Sequence, residues 1–426
     1  YNPFHNGHLY HLQKAQELTG ASNSIAVMGG HFLQRGEPAI FNKWSRTRMA
    51  LSAGIDLVIE LPFIFASQDA RGFAHAGVSL LDSLGIVDYI TFGCENDQID
   101  DLSKIANLLK KEPTYFQQIL KEGVKKGNSF PKIREKAISN YFQKYGREFK
   151  NISPKKVIQI MNQSNNILAL EYLISLKKLN SPMKPLPVKR VGSKYIQNKL
   201  EGHYSSATAI RKEIVKEYLM KEPSLFKNLE LTIPLSSYQI ISNEFKTGLN
   251  PITLSCFEQA FLYYLRRMEI NNIKEIHGIQ EGLENRLKRS AISANSIENL
   301  IQSIKTKRYT RTRIQRLLIH GLFNLTKKEV LNFNKRGPLY CRILGMTEKG
   351  KFLLRDIKTK SKIPIVIKLN NFYQHNMINN NDTILKMLDY DILATDLYVL
   401  GYQKKEFRVG GLDYTRKIEI LTTQYF

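Results

Sequence analysis

The segment Tyr1-Asn2-Pro3-Phe4-His5-Asn6-Gly7-His8-Leu9-Tyr10-His11 decides how this chain is read. Pro3 bars a helix before it, and from Gly7 onward the apolar spacing turns helical, so His5 and His8 fall at the mouth of a helix. The free N–H groups of a helix start and the positive end of its dipole attract anions. Two imidazoles three residues apart share one face of the first turn, and Gly7 lets the backbone come close to a ligand. Together they suit the oxygens of an α-phosphate and the charge that builds up as it is attacked. Histidines at helix starts also serve simply as caps, and this segment alone weighs the two readings evenly. A loop entering a helix in this way is normally fed by a buried strand, so a strand preceding Tyr1 is expected.

Working outward, the apolar run Ser24-Ile25-Ala26-Val27-Met28 closes on Gly29-Gly30 and reads as a buried parallel strand with its turn. A polar loop over residues 31–39 leads to a helix from Asn42 to about Ala53 that carries Lys43, Arg46 and Arg48. Ile55 to Pro62 reads as a further strand, Gln68 to Leu84 as a helix, Val87 to Phe92 as a strand ending at Gly93-Cys94-Glu95, and Leu186 to Val191 as another strand. Strands alternating with helices predict an α/β fold, a Rossmann-like doubly wound parallel sheet, in which ligands sit at the carboxyl ends of the strands. Gly29, Gly30 and Gly93 fall at such ends.

A second anion cradle follows in His203-Tyr204-Ser205-Ser206-Ala207-Thr208-Ala209-Ile210-Arg211, where hydroxyls and backbone amides begin a helix and Arg211 waits inside it. Such a set suits outer phosphates, although Ser-Ser-x-Thr is also a routine N-cap. Ser164-Asn165-Asn166 opens another helix, and capping needs only one of its asparagines.

Lysine and arginine number 63 against 38 acidic residues, a net charge of +25. That surplus favours a polyanionic partner, nucleic acid above all. No apolar run approaches a membrane span and no signal-peptide pattern appears. The three cysteines, Cys94, Cys256 and Cys341, are far apart and form neither a zinc motif nor a disulfide framework, which fits a reducing cytoplasm. Two basic clusters are candidates for RNA contact. One holds Lys125 and Lys126 beside Gly127-Asn128-Ser129-Phe130-Pro131. The other, Lys305-Thr306-Lys307-Arg308-Tyr309-Thr310-Arg311-Thr312-Arg313, interleaves cations with one tyrosine that could stack a base. Lysine runs such as the first are most often solvated faces, and an exposed basic helix face explains the second about equally well. Three regions are expected: residues 1–220 for catalysis, a mainly helical basic region over 221–336, and a small α+β part over 337–426.

With both cradles in view, the chain resembles the nucleotidylyltransferase superfamily, whose signatures are His-x-Gly-His after the first strand and Ser-Ser/Thr-x-x-Arg late in the domain. Tyr1 to His8, Gln34-Arg35-Gly36-Glu37-Pro38-Ala39, Glu60-Leu61-Pro62-Phe63, Ser164 to Leu168 and Lys307-Arg308-Tyr309-Thr310 narrow the resemblance to the bacterial tRNA(Met) cytidine acetate ligase family. It spans nearly the whole chain and departs from the pattern at His31, where Asn is expected. The resemblance implies an enzyme that activates acetate with ATP as acetyl-adenylate and acetylates N4 of the wobble cytidine of elongator tRNA(Met). It implies His5 and His8 as catalytic groups. ATP contacts would come from Tyr1, Asn2, Pro3, Phe4, Asn6, Gly7 and His11, with Gly93, Asn165, Asn166, Arg190 and Val191 on the adenosine and Ser205, Ser206 and Arg211 on the outer phosphates. Mg²⁺ would accompany the nucleotide without metal ligands from protein side chains, and Lys125, Lys126, Lys307, Arg308, Arg311 and Arg313 would meet tRNA. Two other classes stay open: a small-molecule adenylyltransferase of cofactor biosynthesis, which does not need the long basic remainder, and a catalytically idle RNA-binding protein, which need not keep both histidines and Arg211.

Overall fold

β-branched and apolar residues over Ile25–Gly29 and Leu57–Leu61 form two parallel strands, β1 and β4, in the computed structural model, paired in register from Ile25 opposite Leu57 to Gly29 opposite Leu61. The structure describes residues 1–95, 99–126, 130–146, 153–191, 200, 202–220, 227–280 and 282–422. Between these two strands lies a short antiparallel hairpin, β2 (Phe32–Leu33) and β3 (Glu37–Pro38). β5 (Tyr89–Cys94) and β6 (Lys184–Lys189) form a second parallel ladder. β6 begins two residues earlier than the sequence suggests. As a strand described with one partner, it tolerates Pro185 and Pro187, which cannot donate to a ladder on both sides.

The C-terminal part completes the N-terminal sheet. β7 (Cys341–Thr347) pairs antiparallel with β4, and β8 (Ile365–Val366) and β9 (Glu419–Leu421) pair parallel with β7, giving the order β1-β4-β7-β8 with β9 on β7. The largest apolar core is accordingly continuous. It joins Leu57, Ile59 and Leu61 of β4 to Phe261, Leu287, Leu300 and Ile314 of the helical middle region and to Ile343, Met387 and Tyr398 of the C-terminal part. A separate core lies under the helices Ile99–Lys111, Phe130–Tyr145, Pro154–Met161 and Ser164–Leu179, which cover β5 through Phe92 and Cys94.

A buried ion cluster locks β7 to β4. Lys43, fully buried at the start of the Lys43–Ser52 helix, places Nζ 3.0 Å from Glu60 of β4 and 2.8 Å from Asp413; Arg342 of β7 lies 2.6 Å from Asp413 and 3.3 Å from Glu60. Two cations thus face two carboxylates, each contributed by a different segment. Thr395 Oγ1 donates to Asp413 at 2.6 Å, and His31 approaches the same hydroxyl at 3.2 Å. His31, where Asn was expected, is therefore a core residue, 1% exposed. Buried charge is tolerated only when paired and hydrogen-bonded, and removing one partner strands the rest. Lys43→Met should therefore lower unfolding free energy by about 3–5 kcal/mol; a urea titration that shows no change would mean the cluster is not holding the strands together.

Candidate functional site

The helix Asn6–Thr19 starts with His5 as its N-cap. The Gly7 N–H donates to His5 Nδ1 at 3.0 Å, and the His5 N–H donates to His8 Nδ1 at 3.3 Å. In a neutral imidazole one nitrogen accepts and the other carries the proton. Both rings are thereby held as Nε2–H tautomers, leaving Nε2–H as the donor each can offer. The rings stack with centroids 3.7 Å apart, an arrangement that two imidazolium cations would oppose. Gly7 makes the fold-back possible, since a Cβ there would lie 2.9 Å from His5 Cε1.

Burial pushes His5 from the ordinary 6.5 down to about 3, and the Arg190 guanidinium adds to the shift. Burial likewise drives His8 well down, with His5 second, and takes His11 to about 4, with Arg190 adding. The His11 Nε2 is buried without a hydrogen-bond partner. All three rings line a cavity of about 700 Å³ that also meets Tyr1, Gly7, Gly93, Arg190 and Val191 and continues between β1 and β5.

The remaining predicted nucleotide residues surround this cavity without lining it. Phe4 is core, fully buried against Leu12 and Met28. Pro3 is buried beside it. Asn2 Oδ1 accepts from the Ile40 N–H at 2.8 Å. Asn6 Nδ2 donates to the carbonyls of His203 at 3.3 Å and Leu231 at 3.0 Å, which ties the first cradle to the approach to the second. Ser206 caps the helix Ala207–Met220, its Oγ accepting from the Ala209 N–H at 3.1 Å, and Ser205 is buried beside it. Arg211 reaches back from this helix, donating through Nη1 to the Asn2 carbonyl at 3.2 Å and through Nη2 to Glu37 at 2.9 Å.

Asn165 and Asn166 act on a loop. Asn165 Nδ2 donates to Glu95 at 2.8 Å, and the Glu95 N–H donates to Asn166 Oδ1 at 2.9 Å. Together they clamp the end of β5, where Gly93 lies against Arg190, a Cβ at Gly93 falling 3.5 Å from Arg190 Cγ. Glu95 was not a sequence candidate, nor was Arg46. The latter is fully buried and donates to the carbonyls of Phe41 (2.9 Å), Tyr1 (3.1 Å), Gly29 (3.0 Å) and Gly30, so it fastens the start of the chain to the end of β1. Its signal was faint: one cation beside Lys43 and Arg48 on the same helix.

Of the RNA candidates, Lys125 and Lys126 are exposed at the end of the helix Thr114–Lys125, away from the cavity walls; Gly127 to Ser129 lie outside the described residues. Lys307 and Arg308 are exposed just before the helix Arg311–Leu322. Tyr309 corrects the expectation of a stacking platform. It is 8% exposed and its ring lies beneath Arg308 and Arg313, whose guanidinium carbons sit 5.7 and 4.9 Å from its centroid. The tyrosine supports arginines instead of receiving a base. Arg311 pairs with both Glu298 oxygens at 2.6 Å, and Arg313 approaches the Gly278 carbonyl at 3.4 Å.

Paired imidazoles at a helix start, a capped second helix and a cavity that runs from them along β1 and β5 fit a nucleotidyl transferase of the HIGH class. A family model described as HIGH Nucleotidyl Transferase matches residues 1–411. Among curated relatives, the tRNA(Met) cytidine acetate ligase of Thermoanaerobacter sp. (strain X514) is 44% identical over 97% of this chain and 96% of its own. The protein of the same name from Acetivibrio thermocellus is 43% identical over 99% and 98%. The crystal structure of Thermotoga maritima TmcAL bound with alpha-thio ATP superposes with a TM-score of 0.91 at 37% identity, covering 99% of this chain and 98% of that one. The chain belongs to the tRNA(Met) cytidine acetate ligase family of the HIGH nucleotidyltransferases.

Because the folded His5 value lies below the ordinary one, an unfolded chain takes up the proton first. The stability contributed by the neutral pair is complete above about 6.5 and is lost as pH falls toward 3. Nitrogen NMR of the two rings at pH 6 should show neutral Nε2–H tautomers; a charged ring or an Nδ1–H tautomer at that pH would refute the assigned geometry.

Proposed function

We propose that this chain forms acetyl-adenylate from acetate and ATP and transfers the acetyl group to N4 of the wobble cytidine of elongator tRNA(Met), in the cytoplasm. The observation that carries the reading is the pair of neutral imidazoles fixed as Nε2–H donors on the cavity wall, in a chain similar almost end to end to ligases of that name. In the first step an acetate oxygen attacks the α-phosphorus and pyrophosphate leaves. In the second the N4 amine attacks the acyl carbon, AMP leaves and the nitrogen loses a proton. No side chain is needed as nucleophile. His5 and His8 donate to the charge on the attacked phosphate, while Ser205, Ser206 and Arg211 receive the outer phosphates. Catalysis is positioning plus electrostatic stabilisation. Neutral donors bind the phosphate without forming a tight ground-state ion pair, so their hydrogen bonds strengthen as charge develops.

Adenosine is assigned to the wall formed by Gly93, Arg190 and Val191, with Asn165 and Asn166 holding that wall through Glu95. Among the described residues, no group of three or more His, Cys, Asp or Glu side chains could hold a metal. A Mg²⁺ that accompanies ATP would rest chiefly on phosphate oxygens and water. Residues 1–220 carry the nucleotide chemistry, 221–336 grip the tRNA, and 337–426 complete the sheet. Among the described residues no helix is long and apolar enough to cross a membrane.

Purified protein without RNA should catalyse ATP–pyrophosphate exchange only when acetate is present. Exchange that requires a phosphorylated small molecule instead would replace this reading with a cofactor-building one. His8→Ala should slow exchange by about 10²–10³, the cost of losing one transition-state donor; an unchanged rate would remove His8 from its role. Neutralising Lys307 and Arg308 should weaken tRNA binding and flatten its salt dependence, each lost phosphate contact lowering the slope by about one. An unmoved slope would make that segment structural.

A further inference from the structure

The hairpin β2–β3 touches the outer-phosphate arginine on one side and the Arg311–Leu322 helix on the other. At its tip Gly36 has φ +72° and packs on helix backbone so closely that a Cβ would lie 2.2 Å from the Arg316 nitrogen and 2.5 Å from the Gln315 carbonyl carbon. Arg316 Nη1 donates to the Gln34 carbonyl at 3.2 Å. On the other side Glu37 holds Arg211 at 2.9 Å, and Arg211 also bonds the Asn2 carbonyl, while Asn2 Oδ1 receives the Ile40 N–H just past the hairpin. The base is anchored by fully buried Phe32, packed against Phe63, Phe257 and Phe323. With a turn closed by the Gly36 N–H to the Leu33 carbonyl at 2.8 Å, the hairpin has little slack between its two neighbours.

We propose that Glu37 is a positioning residue that couples RNA docking at the Arg311–Leu322 helix to the outer-phosphate cradle through the orientation of Arg211. The inference rests on the assignment of Arg211 to the outer phosphates and of the segment ending at this helix to tRNA. RNA engaging Arg308 and Arg313 acts on a helix whose backbone is seated on Gly36, and the neighbouring Glu37 sets where the Arg211 fork points. A guanidinium held by carboxylate and carbonyl in a fixed plane presents its remaining donors in one direction, so a shift of the hairpin re-aims them. By linkage, ATP must then raise tRNA affinity by the same factor by which tRNA raises ATP affinity.

The test measures ATP binding with and without transcribed elongator tRNA(Met), and tRNA binding with and without ATP, all in the absence of acetate so that nothing turns over. Wild type should show equal factors in both directions, about 5- to 150-fold. Glu37→Gln keeps the shape but removes the charge that orients Arg211, and Arg316→Met cuts the tie to Gln34 from the other side. In each, both factors should fall to about one. Glu37→Asp should restore part of the coupling. A wild-type factor of one, or wild-type coupling in both variants, overturns the proposal. A merely structural role would lower both affinities and leave their ratios alone. Failure of the underlying functional reading looks different: no ATP or no tRNA binding by the wild-type protein.

Discussion

Lys43, Glu60, Arg342 and Asp413 meet in a volume closed to water, and much of the molecule is arranged so that they can. Isolated charges in such a place would cost far more than a domain's net stability. Four of them, two of each sign, leave no formal charge uncompensated, but only if the Lys43–Ser52 helix, β4, β7 and the Leu412–Thr415 turn arrive together. An apolar substitute of the same shape could be as stable. What the ionic version adds is selectivity, because a slipped β7 would leave cations facing apolar wall. Register matters here: Glu60 is opposite Arg342 across the β4–β7 ladder, one residue from the Leu61-Pro62 turn into the core.

The same economy governs the nucleotide site. Three histidines along the first two turns of one helix could repel one another and an arginine nearby, yet burial keeps them neutral and makes their closeness affordable. The local backbone, by donating to one nitrogen of His5 and one of His8, decides which proton of each faces outward. Arg46 serves the same end from behind. By taking carbonyls from Tyr1, Gly29 and Gly30 it satisfies acceptors that the end of a strand and a chain entry would otherwise leave inside the protein.

Local patterns were the legible part of the sequence. The helix at His5, the strands around Val27, Ile59 and Ile90, and the cap at Ser206 all follow from period and punctuation, and their boundaries moved by only a residue or two. Partnerships over long separations were not legible. That β7 joins β4 cannot be read from an apolar run interrupted by Arg342, because the interrupting charge looks like an edge or a surface until Glu60 and Asp413 are known to be there. Tyr309 failed for a related reason: aromatic residues among cations fit a base-stacking surface and a buried support equally well, and only exposure distinguishes them. Asn165 and Asn166 were singled out as one amide more than a cap requires, yet neither caps the helix, whose N-cap is Gln163; both bond Glu95, some seventy residues away.

The seating of β7 has a consequence for the order in which this protein comes into being. Synthesis proceeds from the N-terminus, so a chain emerging from the ribosome presents the nucleotide-binding strands, with Lys43 and Glu60, long before Arg342 and Asp413 exist outside the exit tunnel. Until then β4 lacks a neighbour on one side, and its apolar face lacks the helices that share its core. The nascent N-terminal half is thus an open sheet with an unpaired edge, the kind of surface that chaperones shield and that other chains can join. Pairing of β4 with β7 therefore waits on a segment made long after the helices that start at His5 and Ser206, and a chain terminated before Arg342 would carry both on an unfinished sheet.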